Sequence, residues 1–156
     1  MPSSNQDNAG VIAFPPLIFA ICALAGVALN LVFPIPVCAH LPARIAGTIL
    51  ACLAGFIASW ARGVMVKAGT NIRPDKPALA IVTAGPFRLT RNPMYLSLCL
   101  LQLGLGLLIN GLIPLLLVIP LALTLHFGVI LREERYLTAK FGETYTHFQS
   151  HVRRWI

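Results

Sequence analysis

GPFRLTRNPMY, residues 85–95, is the longest polar, turn-forming interruption in an otherwise apolar sequence. Asn92 and Pro93 suit the N-cap and first position of a helix, because an asparagine side chain accepts hydrogen bonds from free N–H groups and proline has a helical φ and no N–H. The apolar run that follows indicates a helix that enters a membrane. Partial positive charge at its start adds to that of Arg88 and Arg91. We therefore predict an anion-binding site here.

The composition is that of an integral membrane protein. Of the 156 residues, 57% are hydrophobic and 11% are charged, and the mean hydropathy is +0.79. These values lie outside the range of soluble globular domains. The net charge of +7 is spread over short segments beside apolar spans, which favours contact with anionic lipid and argues against nucleic acid. No basic segment precedes the first apolar run, so we expect that run to be retained rather than cleaved as a signal peptide.

Four apolar runs predict an all-α fold with about four transmembrane helices. The runs are residues 11–33, 45–62, 94–109 and 112–131. The third is only about 24 Å long at 1.5 Å per residue, which is short for a span. Asn110-Gly111 is a turn signal, so the third and fourth helices are expected to form an antiparallel hairpin. The start of the third helix then meets the end of the fourth at one membrane face.

Further residues predict how these helices pack and end. Four small residues recur every four positions in the second helix and predict close contact with another helix. They are Gly47, Ala51, Gly55 and Ser59. Pro120 is expected to kink the fourth helix, and Gly142 to end it after it has left the membrane. The tail then has the period of a short amphipathic helix, which would lie on the membrane surface or cover a pocket.

The basic residues predict the orientation. With four spans, the N-terminus, the central loop and the tail share one side and hold eleven of the twelve Lys and Arg residues; only Arg44 lies opposite. Because cytoplasmic loops carry the excess of basic residues, we expect cytosolic termini, in a bacterial inner membrane or its equivalent. The chain is interpreted as one domain: a two-helix part (1–62), a cytosolic loop (63–92), and a helical hairpin with its tail (93–156).

Glu133 and Glu134 follow the fourth helix and are expected to face Arg88 and Arg91 across one cytosolic pocket. Carboxylates near membrane depth are costly and favour a functional interpretation. The alternative is that they only neutralise the neighbouring arginines on a solvated helix end. Adjacent helical residues point about 100° apart, so the two glutamates cannot make the same contact. We expect one to bind a ligand and the other to orient an arginine or the tail.

Three separated segments together resemble the signature of the isoprenylcysteine carboxyl methyltransferase and phospholipid methyltransferase superfamily of membrane enzymes. They are GPFRLTRNPMYLS, the Glu133-Glu134 pair and FGETYTHFQSHVRRW, within roughly residues 80–156. The resemblance implies transfer of a methyl group from S-adenosyl-L-methionine, bound at the cytosolic side, to a lipid-like or small amphiphilic acceptor that arrives from the bilayer. Such an acceptor carries an isoprenylcysteine-like carboxylate or a phospholipid amine.

The same resemblance assigns the cofactor site. It implies that Arg91, Asn92, Pro93 and Tyr95 form one half and that the glutamate pair forms the other. The chemistry agrees, because the carboxylate of S-adenosyl-L-methionine suits arginine and a helix start, whereas its ribose hydroxyls and cationic groups suit glutamates. Arg88 is kept as a further candidate for the carboxylate. We take Arg91 and Glu134 as the catalytic candidates; no nucleophilic side chain is needed, since methyl transfer is an in-line displacement helped by positioning and desolvation.

Two departures bear on the acceptor. Isoprenylcysteine enzymes commonly have His where this chain has Asn92, and an Arg one turn before the glutamate pair, where this chain has Val129-Ile130. The missing arginine weakens the case for a carboxylate acceptor. A thiol or amine acceptor needs a base, for which Glu134, His126 and His147 stay open.

Other interpretations remain at this point. Sterol reductases resemble the superfamily in their C-terminal half and use NADPH, and a non-catalytic helical bundle is a third alternative. His147 and His151 are spaced i, i+4, but two histidines without a third ligand do not predict a metal site. The four scattered cysteines lack a C-x-x-C spacing and are expected to be free thiols. Arg153 and Arg154 are expected to bind lipid phosphate or to close over the cofactor.

Overall fold

The computed structural model describes residues 7–156, so the first six residues of the predicted N-terminal part lie outside the described range. Within that range the regular structure is entirely helical. Its helices are α1 (Pro15–Val32), α2 (His40–Lys67), a 3₁₀ turn (Gly85–Arg88), α3 (Pro93–Leu108), α4 (Leu112–Leu116), α5 (Val118–Leu125), a π-helix (His126–Ile130), α6 (Leu131–Phe141) and α7 (Glu143–His151).

The prediction of an all-helical membrane protein is confirmed. Three helical segments are long and apolar enough to cross a membrane: α1, α2 and the continuous run Leu112–Phe141, which comprises α4, α5, the π-helix and α6. The fourth expected span, α3, has 16 residues and is shorter. Many apolar side chains of these helices are exposed, for example Leu31 at 79%, as lipid contact requires.

Helix α2 is longer than the predicted 45–62. It begins at His40, so Pro42 lies in its first turn rather than in the preceding connection. Proline is tolerated there because the first N–H groups of a helix have no intrahelical partner. At the other end the helix continues to Lys67, so the polar loop begins five residues later than the composition indicates.

Small residues of α2 pack against α3, but only the first half of the predicted stripe takes part: a Cβ atom on Gly104 of α3 would lie 3.0 Å from backbone atoms of both Gly47 and Ala51. The buried residues of α2 are Ala43, Gly47, Ala54 and Ala61. A Cβ atom on Gly47 would lie 2.6 Å from the backbone nitrogen of Leu108, whereas one on Gly55 would meet nothing within 4 Å. Ser59 is exposed. Repeated steps of four residues each turn about 40° around the helix and so leave the contact line. One step of four followed by two steps of seven, which each turn about 20° the other way, returns to it.

The run Leu112–Phe141 is interrupted twice. It breaks at Leu117, between α4 and α5, because Pro120 has no N–H for the carbonyl of Leu116 and crowds it. The second interruption is the π-helix, which the sequence did not predict. In it the carbonyl of Gly128 accepts a hydrogen bond from the backbone N–H of Ile12 at 3.2 Å, so the N-terminal segment packs against this helix.

The chain reverses after α6 at Gly142, as predicted. Its φ of +54° is a value that glycine adopts readily and other residues rarely do. Helix α7 then folds back, and its Tyr145 and Phe148 are buried in a cluster with Ala61 and Phe87. The end of α2, the start of α3, α6 and α7 therefore meet at one end of the bundle.

Candidate functional site

A cavity lies at this end of the bundle. It is lined by Arg91, Asn92 and Tyr95 from the start of α3, and by Glu133 and Glu134 from α6. The start of the third predicted helix and the end of the fourth therefore do meet, and they present unlike charges to one cavity. We call this the α3–α6 cavity.

Glu134 is occupied by two arginines. Arg154 donates two hydrogen bonds to it, from Nε to Oε1 at 2.9 Å and from Nη2 to Oε2 at 2.7 Å. Arg91 Nη1 lies 3.2 Å from Oε1 as a further ion pair. Only 9% of the Glu134 side chain is exposed. Bidentate pairing of this kind fixes the orientation of both groups, so Glu134 joins α6 to the start of α3 and to the tail.

Glu133 points to a different partner. Its Oε1 accepts a hydrogen bond from the hydroxyl of Tyr95 at 2.7 Å, which joins α6 directly to the first turn of α3. Among the described residues, Oε2 accepts no hydrogen bond, although Glu133 lines the cavity. The two adjacent glutamates thus have different partners, as expected from the angle of about 100° between neighbouring helical residues.

Arg91 is a nearly buried cation with unused donors. Its side chain is 10% exposed, and its Nε and Nη1 have no hydrogen-bond partner in the described part of the chain. Arg91 Nη1 lies close to Glu134 Oε1, but its N–H groups do not point at that oxygen, so this ion pair is not a hydrogen bond. Unpaired buried donors are costly, and an anion in the cavity that Arg91 lines would supply the missing acceptor.

Asn92 and Pro93 occupy the predicted N-cap and first helical position, but the Asn92 side chain does not cap the helix. Its Nδ2 instead donates to the backbone carbonyl of Arg154 at 2.9 Å. The predicted side-chain cap is absent because the bond from Nδ2 to the tail, which local sequence does not reveal, sets the orientation of the amide and therefore of Oδ1, the atom that would cap the helix. Arg88 is exposed and does not line the cavity.

The polar loop forms a wall that sequence reasoning did not resolve. Asn71 and Ile81 line the α3–α6 cavity, and the buried Thr70 holds the loop through its Oγ1, which accepts from the backbone N–H of Leu79 at 3.0 Å. Tyr136 fixes the same loop by accepting from the N–H of Ala78 at 3.1 Å. The length of the loop was the only feature of the sequence that indicated a functional role for it.

Helix α7 lines the cavity with Tyr145 and Phe148, which agrees with the predicted role of the tail in covering a pocket. Burial raises the pKa of Tyr145 to about 12, and the nearby carboxylate of Glu134 adds to this rise. Tyr145 therefore stays a neutral phenol over the physiological range.

The histidines lie elsewhere. His126, in the π-helix, accepts a hydrogen bond at Nδ1 from the indole of Trp155 at 3.2 Å. His147 and His151 are exposed on α7, with ring centroids 4.3 Å apart. In residues 7–156 no three metal-binding side chains are grouped, and none of these histidines lines the α3–α6 cavity.

Fold and site together define a helical membrane protein whose charged cavity is built where helices meet at one end. A sequence model of the family described as "Phospholipid methyltransferase" matches residues 42–144, more than half of the chain. The chain belongs to the phospholipid methyltransferase family. A relative from Haemophilus influenzae, described as "Uncharacterized protein", is 41% identical over 63 residues, which are 40% of this chain and 100% of that protein.

Membership confirms the predicted superfamily. The family is one of membrane methyltransferases that act on phospholipid-like substrates. The match spans α2 to the first residues of α7 and thus includes both walls of the cavity, but not the last residues of the tail.

Proposed function

We propose that this protein transfers a methyl group from S-adenosyl-L-methionine to an amine-bearing, phospholipid-like acceptor, and that the α3–α6 cavity binds the methyl donor. The observation that carries the proposal is Arg91, a nearly buried guanidinium that lines the cavity and has two nitrogens without a hydrogen-bond partner among the described residues. Glu133 supplies the complementary charge across the same cavity.

The residues present fit this donor. Its carboxylate suits Arg91, whose N–H groups need an acceptor, through a small rotation of the guanidinium. Its ammonium or ribose hydroxyls suit Glu133 Oε2, which is free to accept. Pro93 and Tyr95 line the cavity next to these groups, in agreement with the assignment from the family resemblance.

When bound, S-adenosyl-L-methionine supplies an electrophilic methyl group on a sulfonium. The protein contributes position and partial exclusion of water: Phe87, Tyr145 and Phe148 line the cavity with aromatic rings, which weakens the screening of charges inside it. Glu134 does not serve as a base in this proposal, because both its oxygens are occupied by arginines. Its role is to hold Arg91.

An amine acceptor arrives protonated at neutral pH and must lose a proton before it attacks. Glu133 is the group placed to take it, since Oε1 is fixed by Tyr95, and Oε2 has two lone pairs, one for a hydrogen bond from the methyl donor and one for this proton. Val129 and Ile130, at the position of the arginine in isoprenylcysteine enzymes, are fully buried and apolar. No cation is therefore offered there to a carboxylate acceptor, which favours an amine.

Titration calorimetry of the purified protein with S-adenosylhomocysteine tests the donor site. We expect saturable binding, and Arg91→Ala should weaken it by about 1.5–3 kcal/mol, the range for a charge-assisted hydrogen bond. Arg88→Ala is the matched control: it removes an exposed arginine of the same segment that does not line the cavity, and should leave affinity unchanged. No binding by the wild type at millimolar ligand, or displacement of the ligand by NADPH, would contradict the proposal.

A further inference from the structure

The last residues of the chain form a strap across the start of α3. After α7 the backbone becomes extended at Val152, and residues 153–155, here called the C-terminal strap, run beside the α3 entrance. The carbonyl of Arg153 accepts from the backbone N–H of Arg91 at 2.9 Å. The carbonyl of Arg154 accepts from Thr90 Oγ1 at 3.1 Å and from Asn92 Nδ2 at 2.9 Å. Three consecutive residues of the entrance are therefore bound to the strap.

Strap side chains reach the other elements of the site. Arg154 makes the bidentate pair with Glu134, and this hydrogen bond raises the pKa of Arg154, so the guanidinium stays charged. The Trp155 indole donates to His126 of the π-helix and packs on the core formed by α1, α3 and α5. Because indole only donates, His126 must accept at Nδ1 and carries its proton at Nε2 when neutral.

We infer that Arg154 and Trp155 are positioning residues for methyl transfer, which act by holding Arg91 in place for the ligand. Neither residue lines the α3–α6 cavity, so neither touches the ligand. Arg91 is held by the strap through its backbone and by Glu134 through its side chain, and Glu134 is itself held by Arg154. The inference rests on the proposed function, since it needs a ligand that Arg91 binds.

Coupling between the strap and the ligand must be mutual. If a docked strap favours ligand binding, bound ligand favours the docked strap to the same degree. A tail that serves stability alone would not respond to ligand. The chain has two tryptophans, Trp60 and Trp155, and Trp60 lies outside the cavity lining. Trp60→Phe therefore leaves Trp155 as a single fluorescent reporter of strap docking.

The experiment measures acrylamide quenching of Trp155 in the Trp60→Phe protein, with and without saturating S-adenosylhomocysteine. We expect ligand to reduce quenching at least twofold. Arg154→Ala should raise quenching in the absence of ligand and weaken ligand binding by about tenfold to a hundredfold. Arg154→Lys keeps the positive charge but cannot make the two parallel hydrogen bonds of the guanidinium, and it should recover part of the affinity. Arg153→Ala is the control, since only the Arg153 carbonyl is used, and should change neither quenching nor affinity.

The outcomes separate the two proposals. If the wild type does not bind S-adenosylhomocysteine, the proposed function is wrong and this inference is overturned with it. If the wild type binds but Arg154→Ala binds equally well, or Trp155 quenching is the same with and without ligand, only the strap inference is overturned. The quenching comparison uses a protein with an intact strap, so misfolding of a variant does not obscure it.

Discussion

Two neighbouring carboxylates have separate tasks in this protein. Glu134 accepts from Arg154 and pairs with Arg91, whereas Glu133 accepts from Tyr95 and has one oxygen beside the cavity that accepts no hydrogen bond from the described residues. The helix geometry enforces this division, since each side chain faces a different element. Stability should therefore depend on the charge of Glu134 and not on that of Glu133.

Glu134→Gln should lower stability. The amide cannot accept both hydrogen bonds of the Arg154 fork, and it leaves Arg91 without a counter-charge, so we expect a loss of about 1.5–3 kcal/mol. For a chain of this length that corresponds to a melting temperature lower by roughly 3–12 °C. Glu133→Gln should leave the melting temperature unchanged or raise it, because its amide oxygen still accepts from Tyr95 and a buried charge is removed.

Thermal melting in detergent, followed by calorimetry with S-adenosylhomocysteine, measures both properties. Glu133→Gln should lose ligand affinity while it keeps its melting temperature. A stable Glu134→Gln protein, or a Glu133→Gln protein that binds ligand as the wild type does, would show that the two roles are assigned wrongly.

At the scale of elements, apolar periodicity predicted most of the helices. The long runs locate α1, α3 and the α4–α6 segment within a few residues, because lipid-facing and core-facing positions are both apolar. The π-helix was missed because it differs from an α-helix only by one inserted residue. The side-chain roles of Asn92 and Arg154 were beyond local reasoning, since Asn92 bonds a residue 62 positions away and Arg154 bonds one 20 positions away. Arg91 and the glutamate pair were predicted from their charge and from the helix ends that carry them, whereas Tyr95 was identified only with the help of the family resemblance.

Packing of α2 on α3 depends on the absence of one side chain. A Cβ atom at Gly47 would lie 2.6 Å from the Leu108 nitrogen and 2.8 Å from the Gly104 carbonyl oxygen. Both are backbone atoms that cannot rotate away, so Gly47→Ala must separate the helices. We expect it to cost about 1–3 kcal/mol, as for other overpacked sites. Gly55→Ala on the same helix meets open space and should leave stability unchanged or improve it.

The measurement is the melting temperature of both variants in one detergent. The pair separates packing from helix propensity, since both substitutions are chemically identical and both lie inside α2. If Gly55→Ala lowered the melting temperature as much as Gly47→Ala does, the exposed face of α2 would have to be in contact with another chain.

At the scale of the molecule, chemistry is confined to one end. The described N-terminal residues join it through Asp7, which pairs with Lys140 at 2.6 Å, and the loop joins it through Tyr136. The opposite end holds the α1–α2 connection, where Asn110 fixes Cys38 by donating to its carbonyl at 2.8 Å. We therefore predict that a lipid headgroup reaches the α3–α6 cavity from one membrane face.

We predict that Cys38 faces the side opposite to the cavity, away from the cytosol, because eleven of the twelve basic residues lie at the cavity end. Cys38 and Cys52 are exposed, but Cys52 lies in the middle of the α2 span, where lipid shields it from an impermeant reagent, and Cys22 and Cys99 lie inside helices in the apolar core. A membrane-impermeant maleimide should label the wild type in spheroplasts, and Cys38→Ser should abolish this labelling. Cys38→Ser with Ser150→Cys, which moves the thiol to an exposed position of α7, should be labelled only in inside-out vesicles. If both positions were labelled from the same side, both ends of the bundle would lie at one face of the membrane. That result would contradict this orientation, in which the three long spans and the shorter α3 alternate in direction.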